Sequence, residues 1–515
     1  MITNGYLDSS AQKAFINGIN GCVEHLQVIQ EVIQHAKSNH KTAHITWFDL
    51  VDAFGSLCHM LILHVLQHYH LPDKIIKYIE NIYNKLKGKV KTKDWETEIF
   101  KFLTGTFQGD PFSGTIFLIT FNPLIEYIKT FKEKQGYRIN ETSVITTPFA
   151  DDFNLVSNNQ KLQKKLINEV VDKAKTMGLH FKHSKCKSLS ICGGSPTIVN
   201  FVMKSSKGPI QEVHIKTVHE NPHKFLGATY NNTAKEYYEQ FQSILSEKLN
   251  NIDKSKVRGE HKLAIYERYA LPSMRYHLSI HDIHQTHLDG LDKISRKFVK
   301  KWLNFPTRGV TDAGIFHPYL LNVKQPSQLY HEGHASNMLL MRLRGDTTVN
   351  ACIESKVDRE SQWRVKSSTT VSSYNRVAPI VESALTARHH HINISKQTIN
   401  ISKRKVVKSV QEEVKEKWKD KLEHLTMQGD FAKLLVEEKQ SVMWQSIARK
   451  VPRNVMAFAA RLSTNSLASP DNLKRWGEKK DGYLPTLLIT KWNISTHNEY
   501  VHHSLKPRTI FMAAR

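Results

Sequence analysis

Cysteine is scarce in this chain. The 515 residues hold five, Cys22, Cys58, Cys186, Cys192 and Cys352, with no CxxC pair. That pattern excludes a disulfide framework and a Cys-rich zinc module. Long apolar runs are missing too: none reaches the roughly eighteen residues that a membrane span requires. The first residues, MITNGYLDSSAQKAF, have neither the basic nor the apolar region of a secretory signal. The chain is therefore expected to be nuclear or cytoplasmic, not secreted, with no membrane partner. The glycosylation match at Asn140 is then idle. No internal repeat is visible. The cluster His389, His390 and His391 has no cysteine or acidic partner nearby and reads as solvent-exposed.

Acidic residues are in short supply. Against 73 Lys and Arg stand 48 Asp and Glu, for a formal net charge of +25. A chain of that charge is drawn to polyphosphate backbones, and the attraction weakens with salt. Apolar content is 40%, ordinary for a folded protein, and the length predicts two to four domains.

Residues 43–49, AHITWFD, read as a buried strand ending on a carboxylate. Residues 53–67 read as one helix, and a second starts at Pro72 with Ile75, Ile76, Ile79, Ile82 and Tyr83 on its apolar side. Residues 89–105 alternate like a hairpin. An apolar helix runs from Pro111 toward Lys129. The short strands SVITTPF and FNLVS flank Ala150, Asp151 and Asp152. Residues 160–177 are again helical, and KSLSIC (187–192) is a strand. The order β, α, β, β, α, β is the split βαβ arrangement, an antiparallel sheet with helices on one face. It brings Asp49 to the turn that carries Asp151 and Asp152. Carboxylates on rigid strand ends suit hard cations such as Mg²⁺.

Five blocks then follow in order: FDLVDAF (48–54), QGDPFSG (108–114), FADD (149–152), GLHFKHSKC (178–186) and HKFLG (223–227). The set resembles motifs A to E of a reverse transcriptase palm. Phe149 stands where Tyr is more usual, and Lys182 where Asn is common. AQKAF (11–15) with GCVEH (21–25) resembles a fingers segment of non-long-terminal-repeat retrotransposons. YALPSMRY (269–276) and LDKISRKFVKKWLNFP (291–306) resemble their thumb. AFAAR (457–461) and NLKRWG (472–477) resemble the stretch before a zinc knuckle and endonuclease in site-specific elements.

The resemblance implies an α+β right-hand polymerase palm followed by a mostly helical thumb and C-terminal region. It implies partial fingers at 1–40, a palm at 41–235, a helical thumb at 236–345, a linker at 346–400 and a basic helical region at 401–515. Asp49, Asp151 and Asp152 would be the catalytic metal ligands, for Mg²⁺ or Mn²⁺. Lys185 would be the general acid for the leaving pyrophosphate. Asp52, Ala53, Phe54, Gln108 and Gly109 would bind the nucleotide, with Phe54 as a steric gate against a 2′ hydroxyl. Phe225, Leu226 and Gly227 would form the primer grip. The implied activity is RNA-directed DNA synthesis, with an RNA template, a DNA primer or target and deoxynucleoside triphosphates as partners. The alternative is an inactive relative that only binds nucleic acid; an intron-maturase relative is a third reading. Upstream fingers segments and a downstream knuckle and endonuclease are expected to be lacking, as in a piece of a larger element truncated at both ends.

Overall fold

The computed structural model describes residues 6–16, 19–107, 109–131, 136–205, 212–230, 234–305, 312–316, 322–362, 368–386 and 396–424. The chain divides into two compact units, residues 1–232 with 336–403, and residues 233–335 with 404–515.

The first unit opens with helix α1 (Gly21–Ser38) and strand β1 (Ala43–Phe48), every residue of which is buried. Helices α2 (Ala53–Ser56), α3 (His59–His68) and α4 (Asp73–Lys85) follow. Then come the short strands β2 (Lys87–Gly88) and β3 (Phe100–Lys101), and helix α5 (Ser113–Lys129). Next are β4 (Tyr137–Ile139), β5 (Thr142–Val144), β6 (Phe153–Ser157), α6 (Gln160–Thr176) and β7 (Lys187–Cys192). The strands β8 (Ser195–Pro196), β9 (Phe201–Lys204), β10 (Glu212–Thr217), β11 (His223–Phe225) and β12 (Ala228–Tyr230) complete this run.

The main sheet has the order β6-β1-β7-β10-β9, with β8 beside β7. β1 lies antiparallel to both β6 and β7, in a register that sets Phe48 opposite Phe153 and Trp47 opposite Lys187. Period-two alternation divides the side chains of β1 between the faces. On one face Gln163 of α6 donates to Thr46 Oγ1 at 2.9 Å, and Phe48 stacks on Phe153 at 5.1 Å. Phe117 and Phe121 of α5 and Leu166, Ile167 and Val170 of α6 fill this core. Each such buried side chain contributes about 1.5–3 kcal/mol. On the other face Trp47 packs on the β11–β12 hairpin, 4.9 Å from Tyr230 and 6.4 Å from Phe225. Asn159 caps α6, accepting from Lys161 N at 2.8 Å.

The structure departs from the sequence reading in several places: of SVITTPF only Ser143 and Val144 lie in a strand, which pairs with β4 outside the main sheet, and Ile75 and Ile82 of α4 are exposed. The helix expected over 53–67 is broken, because Leu57 and Cys58 are extended. Tertiary pairing overrides helical propensity there: Gly105 N donates to Leu57 O at 2.8 Å, and Cys58 bridges Thr104. The hairpin read over 89–105 is closed by pairing of Lys87–Gly88 with Phe100–Lys101. Residues 346–400, expected as a linker, contain helices Thr347–Gln362 and Thr369–Thr386. Each helix carries an apolar stripe, of which Val349, Cys352, Ile353, Val377 and Val381 are buried.

The second unit is helical among its described residues. Its core gathers Leu245, Leu249, Tyr266, Leu278, Leu288, Leu291 and Trp302. On the helix Gln285–Trp302 the basic run is amphipathic: Ser295 and Val299 are buried while Lys293, Lys297 and Lys301 are exposed. Trp418 is buried in this unit too, donating from Nε1 to Gln325 Oε1 at 2.9 Å. His389, His390, His391, AFAAR and NLKRWG lie outside the described residues. Among the described residues no helix is long and apolar enough to cross a membrane.

Candidate active site

Asp49 follows β1 directly, and Asp152 directly precedes β6. Since Phe48 and Phe153 are paired, the antiparallel register delivers both carboxylates to the same end of two adjacent strands. Asp151 and Asp152 sit in a tight turn. It is closed by Phe149 N donating to Asp152 O at 2.7 Å and Asp152 N to Phe149 O at 3.1 Å. Ala150 takes a left-handed conformation in this turn, φ +55°, which costs an alanine about 1–2 kcal/mol.

The segment after α6 flanks Asp49 on its other side. Lys182 N donates to Asp49 O and Val51 N to His180 O, each at 2.8 Å, and Leu50 bridges Phe181. That pairing brings Lys185 Nζ to 3.2 Å from Asp49 Oδ2. Burial pushes Asp151 above the ordinary carboxylate range; the charge of Asp49 adds to this, while its own backbone N–H and Lys185 oppose it. Burial pushes Asp152 up to about 6, aided by the charges of Asp151 and Asp49 and opposed by Lys185. The three aspartates and Lys185 therefore share one electrostatic neighbourhood.

This donor set is chemically right for a hard divalent cation: oxygen ligands, excess negative charge and rigid strand ends. Among the described residues, no three His, Cys, Asp or Glu side chains converge on a common metal position. In this arrangement the counter-charge at Asp49 is the ammonium of Lys185.

The other candidates line up around the carboxylates to differing degrees. Asp52 is left-handed, φ +45°, and turns the chain so that Ala53 is buried. Phe54 stacks on Phe117 at 4.4 Å and meets Phe15 edge-on at 6.4 Å. Gln108 lies outside the described residues. Gly109 has φ +95°, a conformation that favours glycine. Asp110 orders the entry to α5, accepting from Phe112 N at 3.2 Å and Ser113 Oγ at 3.3 Å. Leu226 and Gly227, φ +47° and +87°, form the two-residue turn between β11 and β12. Phe225 is buried beside Trp47.

A cleft of about 530 Å³ opens beside the turn from Phe149 to Asp152, lined among others by Lys13, Phe15, Asp110, Gly114 and Phe149. The β2–β3 hairpin forms an exposed arm that carries Lys87, Lys89, Lys91, Lys93, Trp95 and Lys101. An aromatic chain runs from it toward α5: Phe100 to Phe102 at 5.2 Å and Phe102 to Phe107 at 5.6 Å.

Sequence reasoning gave no role to Gln12 or Lys13. Both fall in AQKAF, yet both are buried against the turn of Asp151 and Asp152 or its anchors. A polar pair inside a short motif was the available signal.

Residues 6–230 match the family described as reverse transcriptase (RNA-dependent DNA polymerase). The chain is 23% identical over 288 residues to the retrovirus-related Pol polyprotein from the type-2 retrotransposable element R2DM of Drosophila melanogaster, covering 56% of this chain and 27% of that protein. It is 24% identical over 316 residues to the polyprotein from the type-1 element R2 of Nasonia vitripennis, covering 61% and 30%. The chain spans from about a quarter to about a half of the length of such relatives. Apo telomerase from Candida tropicalis is similar at 11% identity, with a TM-score of 0.33 over 76% of this chain and 57% of that one. Over residues 6–230 the chain thus matches the reverse transcriptase family, and it is similar to the polyproteins of R2-type retrotransposable elements.

Proposed function

We propose that this chain is the polymerase portion of a non-long-terminal-repeat retrotransposon protein, an RNA-directed DNA polymerase that extends a DNA 3′ hydroxyl on an RNA template. The observation that carries the reading is the placement of Asp49 and Asp152 beside the paired Phe48 and Phe153, with Asp151 in the same turn.

On this reading Asp49 and Asp151 hold Mg²⁺ or Mn²⁺, and Asp152 supports them. The cations supply charge stabilisation to the attacking and leaving oxygens. Lys185, already paired with Asp49, is placed to give a proton to the leaving pyrophosphate. Phe54, held flat against Phe117, packs under the sugar and leaves no room for a 2′ oxygen. Gly109 permits close approach of the backbone to the nucleotide. The Phe225–Leu226–Gly227 turn bears on the primer end. The lysine and aromatic arm between β2 and β3 takes the single-stranded template by phosphate attraction and base stacking. A nuclear or cytoplasmic setting follows from those partners.

The test is primer extension by the full chain on an RNA template with Mg²⁺. Asp49→Ala and Asp151→Ala should each reduce synthesis to background while leaving RNA binding intact. Synthesis that survives loss of Asp151 would remove the metal assignment. The net charge of +25 and the exposed lysines of the β2–β3 arm are equally compatible with a second reading, an inactive protein that binds nucleic acid. It predicts salt-dependent RNA binding and no extension by the unaltered chain under any divalent cation.

A further inference from the structure

We infer that Gln12 is a positioning residue that fixes the backbone of the turn carrying Asp151 and Asp152. The inference rests on the metal-ligand reading of those aspartates only for its catalytic consequence; the mechanical part stands on geometry.

Gln12 is 3% exposed. Its Oε1 accepts from Ala150 N at 2.9 Å and its Nε2 donates to Ala150 O at 3.2 Å. One side-chain amide therefore grips both polar groups of the residue immediately before Asp151. That residue is the one in the left-handed region. An alanine held in that region needs an external restraint, and the two buried hydrogen bonds supply one. Gln12 Oε1 also accepts from Ala14 N at 3.1 Å, so the amide cannot swing away freely.

The grip is itself anchored. Lys13 N donates to Pro148 O at 3.4 Å, and His25 Nε2 lies 2.8 Å from the same oxygen. The Lys13 ammonium is locked between Glu24 at 2.7 Å and Asp346 at 3.0 Å. Arg344 reaches Glu24 at 2.7 Å and also donates to Ser9 O. The residues that hold the turn thus run back to a segment some two hundred positions downstream. No part of that chain touches a reacting atom, so its effect is exerted through Ala150.

The experiment compares the full chain with Gln12→Met, which fills the space without either hydrogen bond, and Gln12→Glu, which keeps the acceptor. Hydrogen exchange is read by mass spectrometry on peptides covering 149–153. Gln12→Met should speed exchange of the Ala150 amide at least tenfold, and Gln12→Glu clearly less. Primer extension should show a half-saturating Mg²⁺ concentration raised about fivefold or more in Gln12→Met, with RNA affinity within twofold of the unaltered chain. Unchanged exchange in both variants overturns the inference. Faster exchange with unchanged metal dependence and rate leaves Gln12 a mere packing residue and overturns its positioning role. Should Gln12→Met fail to fold, Gln12→Glu decides by the same readouts. An unaltered chain that makes no DNA refutes the proposed function instead, and the exchange data still judge the grip.

Discussion

Replacing Lys13 with methionine should destabilise the first unit by about 3–5 kcal/mol, the usual cost of removing one member of a buried ion pair. The magnitude follows from what each partner retains. Lys13, Glu24 and Asp346 have side chains no more than 2% exposed. Without the ammonium, Glu24 keeps Arg344 at 2.7 Å. Among the described residues, Asp346 keeps the Val349 N–H, at 3.1 Å on Oδ1. The uncompensated charge therefore falls on Asp346. Neutralising it should return part of the loss: Lys13→Met with Asp346→Asn is expected about 1–2 kcal/mol below the unaltered chain, less than either the single lysine change or the sum of both. Urea unfolding measures this, with exchange protection of Ala43–Phe48 identifying the transition of this unit. A cost under about 1 kcal/mol for Lys13→Met, or strict additivity in the cycle, would refute the picture of a closed buried network.

His44 offers a pH test. Burial against Phe201 and Ser190 lowers its pKa to about 4. Above pH 6.5 it is neutral folded and unfolded; below that the unfolded chain takes up the proton first. Stability should fall by about 1.4 kcal/mol per pH unit down to about 4. The advantage of the unaltered chain over His44→Gln in urea unfolding should shrink by about 2 kcal/mol from pH 6.5 to 5; a constant difference would contradict a neutral buried imidazole. Changing Lys89, Lys91 and Lys93 to Gln should lower the salt slope of single-stranded RNA binding by about 2, near 0.7 per phosphate contact. Filter binding from 50 to 300 mM salt reads it, and an unaltered slope would take the template off this arm. Phe54→Val keeps an apolar contact with Phe117 but opens space at the sugar. It should raise ribonucleotide incorporation relative to deoxyribonucleotide about tenfold, measured by single-nucleotide extension; unchanged discrimination would end its role as a gate.

What sequence made visible was local. The run AHITWF is, apart from His44, apolar or β-prone and ends at Asp49, so a buried strand delivering a carboxylate could be read from it. The same holds for FNLVS after Asp151 and Asp152, and the two strands pair as the split βαβ order requires. Lys185 was reachable by its place in an ordered block, and it meets Asp49. The break at Leu57 and Cys58 was not reachable, because its cause is pairing with Thr104 and Gly105. Nor were the buried ions. Gln12 and Ala150 are 138 positions apart, Lys13 and Asp346 are 333 apart, and neither pair leaves a periodicity. Polar residues near the N-terminus read as surface unless their partners are known.

These two kinds of determinant divide the work at the site. Strand register brings the carboxylates to one place with an error no finer than a residue's pleat. Catalytic geometry requires tolerances of about half an ångström, which side-chain restraints around the turn must supply. Those restraints come from Gln12, Lys13 and His25, and through Lys13 from Arg344 and Asp346. The helix Thr347–Gln362 is fastened by the same logic: Arg359 and Ser355 both bond Glu31 of α1. The span that carries the motifs, 6–230, is therefore smaller than the unit that holds them in place, which includes 336–403. A polypeptide ending at residue 230 would keep all five palm-like blocks but would strip Lys13 of Asp346, Glu24 of Arg344, and Glu31 of Ser355 and Arg359. On physical grounds such a fragment should lose the shape of the turn carrying Asp151 and Asp152 before it loses the sheet, because β1, β6 and β7 are held by backbone pairing and an aromatic core that it retains in full.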